Sequence, residues 1–287
     1  MNRLNIQERA KILGCLVEGN SVRATSRLTG CDKKTVLRLL AEFGSSCKKY
    51  HDENVRHLNI KRVECDEIWS FCYSKQANIP EQYKGKFGFG DVYTWTALDR
   101  DSKLIINYRV DRRDEEAAYF FIHDLALRLD NRVQLSTDGL KVYIDAIEDA
   151  FGGNIDYGML KKIYSAPHSK EAARRYSPGQ CCGARKRRIL GQPVRKDICT
   201  SHVERMNLNI RMGMRRFTRL TNAFSKKVEN HAHALAIYFM YYNYGRIHQT
   251  LRVTPAMQSG LTDHVWSLEE IVSLSEPPKK VAEEINI

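Results

Sequence analysis

The segment VECDEIWSFCY, residues 63–73, is rich in apolar and aromatic side chains and reads as a strand, yet two carboxylates, Asp66 and Glu67, lie near its middle. An aspartate inside such a strand loses hydration on folding unless something positive compensates it, and a divalent cation does so directly. Glu67 is the nearest competitor to Asp66 for that role, and strand alternation places the two on opposite faces. A second apolar segment, VQLSTDG at 133–139, ends in Asp138-Gly139. Between them, residues 88–110 read as two strands joined by a polar turn at Asp99–Lys103. Residues 114–130 read as a helix with an acidic first turn and Tyr119, Ile122, Leu125 and Leu129 on one face. A helix from about Leu140 to Ala150 and a strand at 155–164 follow. Three strands, a helix, a strand and further helices predict a mixed α/β layered domain.

A third carboxylate completes a candidate site. In SHVERMNLNIR, residues 201–211, Glu204 lies near the start of a helix that extends through Met214, and Arg211 lies two turns along the same face. Aspartates on sheet strands and a glutamate on a facing helix make an all-oxygen donor set suited to Mg²⁺. Two such ions about 3.5–4 Å apart activate a water or hydroxyl and stabilise the leaving oxygen of a phosphodiester. The chain has 34 acidic residues, so spacing alone does not prove the triplet, and Asp99, Asp101, Asp111 and Asp114 read as surface carboxylates at strand-end turns.

The net charge of +12 over 287 residues predicts a polyanionic partner, most simply nucleic acid. The charge is unevenly placed. Residues 1–60 carry +5, residues 61–164 carry −3, residues 165–216 carry +10 and the remainder is neutral. No run approaches the ~18 apolar residues of a spanning helix, so no membrane association is expected. Without a signal sequence or a Cys-x-x-Cys pair among its 8 cysteines, the chain is expected in a reducing cytoplasm.

Residues 5–18 read as an amphipathic helix with Ile6, Ala10, Leu13 and Val17 inward. Ser21 caps a short helix to Thr29, Gly30 makes a turn, and Asp32 caps a helix from Lys33 to Phe43 with Gly44 as its stop. Small Ser26, Gly30 and apolar Val36 have the spacing of a helix-turn-helix, with Lys33, Lys34, Thr35 and Arg38 placed to meet DNA. Residues 45–60 show no clear period and read as a linker or loosely packed arm. SPGQCCGARKRRILGQPVRK, residues 177–196, reads as an exposed basic loop. Neither Cys181, Cys182 and Cys199 nor Cys15, Cys31 and Cys47 has zinc-ligand spacing, and His168 and His202 read as surface or structural histidines. Residues 225–242 read as a long helix whose Leu235, Tyr238, Phe239 and Tyr242 pack in the core, and 262–287 as a tail that docks a short helix.

CDEIWSF (65–71), LSTDGLKVY (135–143) and HVERMNLNIR with FSKKVENH (202–231) resemble the DDE transposases of the insertion-sequence-one family of bacteria and archaea. The likeness covers about residues 61–245, and KILGCLVEGNSVRATSRLTGCDKKTVLRLL (11–40) resembles that family's helix-turn-helix. NYGRIHQTLRVTPA (243–256) resembles the end of integrase-type cores. The resemblance implies an RNase H-like, integrase-like α/β catalytic core behind an all-α N-terminal domain. It also implies metal-dependent cleavage and joining of DNA with Asp66, Asp138 and Glu204 as catalytic triad and ligands of two Mg²⁺ or Mn²⁺ ions. The expected domains are a helix-turn-helix at 1–44, a linker at 45–60, a catalytic domain at 61–260 with a basic insertion at about 165–200, and a tail at 261–287. Arg211 takes the place of a basic residue that meets DNA phosphate, with Arg185, Lys186, Arg187, Arg188 and Arg205 as further DNA contacts. Asn207 either orients substrate or closes a hydrogen-bond network. Family members often carry a zinc finger ahead of the helix-turn-helix, for which this chain has no paired cysteines, and no zinc is expected. The partners implied are element ends, target DNA and at least one further copy of the chain, in a prokaryotic cytoplasm at the nucleoid. The alternatives are an RNase H-like nuclease or resolvase that only hydrolyses, and a domesticated, non-catalytic DNA-binding protein.

Overall fold

The computed structural model describes residues 4–164, 181–218 and 222–276. Three helices come first: α1 (Ile6–Val17), α2 (Val22–Thr29) and α3 (Lys33–Asn54). Each has its N-terminal N–H groups met by a side chain: Asn5 in a capping box with Glu8, Ser21 by its hydroxyl and Asp32 by its carboxylate. Gly30 ends α2 at φ 71°, a left-handed conformation that a side chain disfavours, and Val36 is fully buried behind the turn.

α3 runs past Gly44 for ten further residues, against the expected stop. Gly44 is instead a point of contact with α7 (Val228–Met240), where a Cβ would stand 2.4 Å from His233 Cβ. A glycine reads as a terminator in sequence because the helix crossing that requires it comes from a segment almost 190 residues away. The expected loose arm at 45–60 is likewise helical to Asn54 and then packed, with Val55, Leu58 and Ile60 buried. Buried Arg128 ties this stretch to the sheet, donating to the carbonyls of His51, Val55 and Ile106 and pairing with Asp52 at 2.6 Å.

The central sheet has the order β3-β2-β1-β4-β5-β6. Strands β1 (Arg62–Cys72), β2 (Gly90–Asp99) and β3 (Ile105–Asp111) form an antiparallel meander. After α4 (Glu115–Ala126), β4 (Val133–Thr137) lies parallel to β1; after α5 (Val142–Phe151), β5 (Ile155–Tyr164) lies parallel to β4. This is a mixed sheet flanked by helices. Trp95 packs on Phe121 of α4 and Tyr143 of α5 on one side. α6 (Ser201–Gly213) covers the other with Val203, Met206 and Ile210. α7, a π-helical turn at Tyr241–Gly245, α8 (Pro255–Gln258) and α9 (Leu268–Ser273) complete the described fold. Among the described residues no helix is long and apolar enough to cross a membrane.

Two more expectations are corrected. The basic segment read as a loop contains β6 (Cys181–Leu190), antiparallel to β5 and the last strand of the sheet. Its residues are exposed on both faces or half-buried, so the hydrophobic alternation that marks a strand is absent; backbone pairing to the free edge of β5 holds it. In α4 the buried face is Ala118, Phe121, Ile122 and Leu125, while Tyr119 points outward and stacks on His123.

Candidate active site

β1 and β4 pair only from Arg62↔Gln134 to Glu64↔Ser136, and β4 ends at Thr137 while β1 continues. Asp138 therefore leaves the sheet beside the middle of β1. Its Oδ1 accepts from Leu140 N at 2.8 Å, which turns the chain toward α5. The oxygens of Asp66, Glu67 and Asp138 lie within 4.8 Å of one another.

Glu64 and Asp66 share the face of β1 that α6 covers. Thr200 offers α6 no side-chain cap. Glu64, reaching across from β1, accepts from His202 N at 2.8 Å and Val203 N at 3.1 Å, and from His202 Nδ1 at 2.8 Å. One turn further on, Asn207 Nδ2 donates to Asp66 Oδ2 at 2.7 Å. Glu204 lies between these two ties. Its carboxylate accepts from Thr200 Oγ1 at 2.7 Å and pairs with Lys162 of β5. Asp66, Asp138 and Glu204 line one cavity of about 370 Å³, together with Lys161, Lys162 and Thr200.

The electrostatics are those of crowded anions. Burial, and then the neighbouring Glu67 and Asp138, drive the Asp66 carboxyl well above its ordinary range. Glu67 is pushed up to about 7 by burial and by Asp138, although Arg113 pairs with it at 2.6 Å and Tyr143 donates to it at 3.1 Å. Asn207 Oδ1 is buried without a hydrogen-bond partner. Such a set of carboxylate oxygens, with an unused amide oxygen beside it, fits a hard divalent cation and its waters.

Asp66, Asp138 and Glu204 line one cavity, whereas the close carboxylate cluster is Asp66, Glu67 and Asp138, and Glu204 is held by Lys162. Glu67 comes close to Asp66 and Asp138 although alternation sends it to the other face of β1, because Asp138 sits beyond the end of its strand, where both faces are within reach. The role of Glu64 was missed: its one signal was a third carboxylate two residues before Asp66. His202 is the partner of Glu64, and Glu64, Cys199 and His202 also lie within 4.8 Å of one another. Lys33, Lys34 and Arg38 are exposed at the first turns of α3, with Thr35 half-buried. Arg205 is exposed on α6, and Arg211 is half-buried. Arg185, Lys186, Arg187 and Arg188 lie on β6; His168 lies outside the described residues.

No family model and no curated protein matches the chain. Among solved structures, it aligns with the crystal structure of the Mos1 strand transfer complex at a TM-score of 0.25 and 12% identity, over 83% of this chain and 78% of that one.

Proposed function

We propose that the chain is a DDE-type DNA transposase with an RNase H-like core, which cuts DNA strands and joins the resulting ends to target DNA. The observation that carries this reading is the convergence of Asp66, Asp138 and Glu204, from β1, the end of β4 and α6, on a single cavity. A mixed sheet flanked by helices, with Asp66 mid-β1, Asp138 just after β4 and Glu204 on the covering helix α6, is compatible with such a core.

Asp66, Asp138 and Glu204 would hold Mg²⁺ or Mn²⁺, which when bound activates a water or 3′-hydroxyl and stabilises the leaving 3′-oxygen. Asp66 is oriented by Asn207, so its second oxygen is left to face the cavity. Lys162 pairs with Glu204 and lines the cavity, where it would meet a phosphate oxygen if a cation held that carboxylate. In the first step a water oxygen bonds to the scissile phosphorus and the P–O3′ bond breaks, freeing a 3′-hydroxyl; in the second, that 3′-hydroxyl loses its proton and bonds to a phosphorus of the target strand, whose own P–O3′ bond breaks to free a target 3′-hydroxyl. Helices α2 and α3, with the tight turn at Gly30, act as the helix-turn-helix: Lys33, Lys34, Thr35 and Arg38 read element ends, and Arg205 and Arg211 hold backbone near the site. At least two copies assemble on paired ends.

Purified protein with Mg²⁺ and DNA carrying the element ends is expected to nick the ends and to yield strand-transfer products. Asp66→Asn abolishes both and keeps end binding. Hydrolysis without joined products would make the chain a nuclease, and full activity in Asp66→Asn would remove the site assignment.

A further inference from the structure

The four basic residues Arg185, Lys186, Arg187 and Arg188 are equivalent in sequence, but the β5–β6 register separates them. Lys161 of β5 stands directly opposite Arg185, Met159 opposite Arg187, Leu160 opposite Lys186 and Gly158 opposite Arg188. Directly opposed residues of an antiparallel pair share a face, and successive residues alternate. Lys161, Arg185 and Arg187 therefore lie on one face, and Lys186 and Arg188 on the other, with Lys162.

The two faces have different surroundings. On the second, the chain covers part of the strands: Ile198 packs against Gly158 so tightly that a Cβ there would meet it at 2.5 Å, and half-buried Lys186 donates from Nζ to the carbonyl of Lys196 at 3.0 Å, while Arg188 stays exposed beside them. On the first, Lys161, Arg185 and Arg187 are exposed, and no carboxylate among the described residues pairs with them. Both faces reach the cavity at their Asp138 end: Lys162, on the second, pairs with Glu204, and Lys161, on the first, lies with its side chain beside Gly139, the residue after Asp138.

Two cations directly opposite each other repel, with Cβ atoms about 4.5–5.5 Å apart. A strand pair that carries Lys161 against Arg185 is destabilised when free and relieved when an anion lies across both. We infer that Lys161, Arg185 and Arg187 form a phosphate track that leads the DNA backbone to Asp138, and that Lys186 and Arg188 do not belong to it. The inference rests on the DNA-processing reading above and adds which residues, on which face, hold the strand.

Two readouts on the full-length protein test it: the salt dependence of its affinity for duplex DNA, and the melting temperature of the DNA-free protein. Lys161→Gln, Arg185→Gln and Arg187→Gln are each expected to lower the magnitude of the log–log salt slope by about 0.9. Lys186→Gln and Arg188→Gln leave it unchanged. Lys161→Gln and Arg185→Gln also raise the melting temperature by about 1–3 °C, because each removes the repulsion, while Arg187→Gln, opposite a methionine, does not. Equal slope losses in all five variants, or no loss in the first three, overturn the track. A wild-type protein that shows the expected slope pattern but neither cuts nor joins DNA leaves the track standing and removes the transposase reading. Cleavage and joining with an unaltered slope in the three variants does the reverse.

Discussion

Asn207 Nδ2 donates to Asp66 Oδ2 across 2.7 Å, joining α6 to β1 one turn after Glu204 leaves the same helix. The bond turns one Asp66 oxygen into the fold and leaves the other for the cavity. Asn207→Leu keeps the volume and removes the donor. Mn²⁺ affinity, followed by electron paramagnetic resonance, is expected to fall about 10-fold while the circular dichroism spectrum is unchanged. Unaltered affinity would show that Asp66 is oriented without Asn207.

Glu64 acts at the other end of the same helix. It satisfies two N–H groups of α6 that Thr200 does not reach. Glu64→Ala leaves both, and the His202 ring, without their acceptor. A loss of about 2 kcal/mol in urea unfolding is expected, and His202→Ala, which removes only the ring contact, should lose less.

Burial and the proximity of Asp138 raise Glu67 from an ordinary value near 4.5 to about 7. A carboxyl whose folded pKa lies above its unfolded one contributes stability below the unfolded value and loses it as pH rises through the folded one. Protein held in EDTA is therefore expected to lose about 3 kcal/mol between pH 4.5 and pH 7 from this group. Glu67→Gln should flatten that slope in urea titrations at each pH. Added Mg²⁺ should oppose the loss at pH 7, since it binds the crowded carboxylates only when they are ionised.

Gly44 lies mid-helix, where alanine is ordinarily favoured by about 1 kcal/mol. Here a Cβ would stand 2.4 Å from His233 Cβ and 2.8 Å from its carbonyl oxygen. Gly44→Ala is expected to lower stability by about 1–3 kcal/mol, the opposite of its helix propensity. A stabilised variant would mean that α3 and α7 separate without loss.

The elements nearest the site were the easiest to read. β1 is a long strand rich in apolar and aromatic residues and β4 a short apolar one, and an aspartate inside or just after such a strand stands out because burying it has a physical cost. α1 is legible from its apolar spacing, and α2 and the start of α3 from the caps Ser21 and Asp32, which act within three residues, so local sequence contains the whole interaction. Two local signals mislead because the partner that explains each is distant in the chain. Gly44 looked like a stop, and β6 looked like a loop because its pairing with β5 needs no apolar side chains.

By itself the sequence determined the helices and strands from β1 to β5, the start of each N-terminal helix and the concentration of positive charge, since these follow from side-chain type and short-range spacing. Only the tertiary structure decided that Glu64 holds the N-terminus of α6, that Glu67 enters the carboxylate cluster, and that the pleat of β6 divides its basic residues into two groups. Each of these depends on strand register and helix crossing, which are set by contacts between segments far apart in the chain and are invisible to any local pattern.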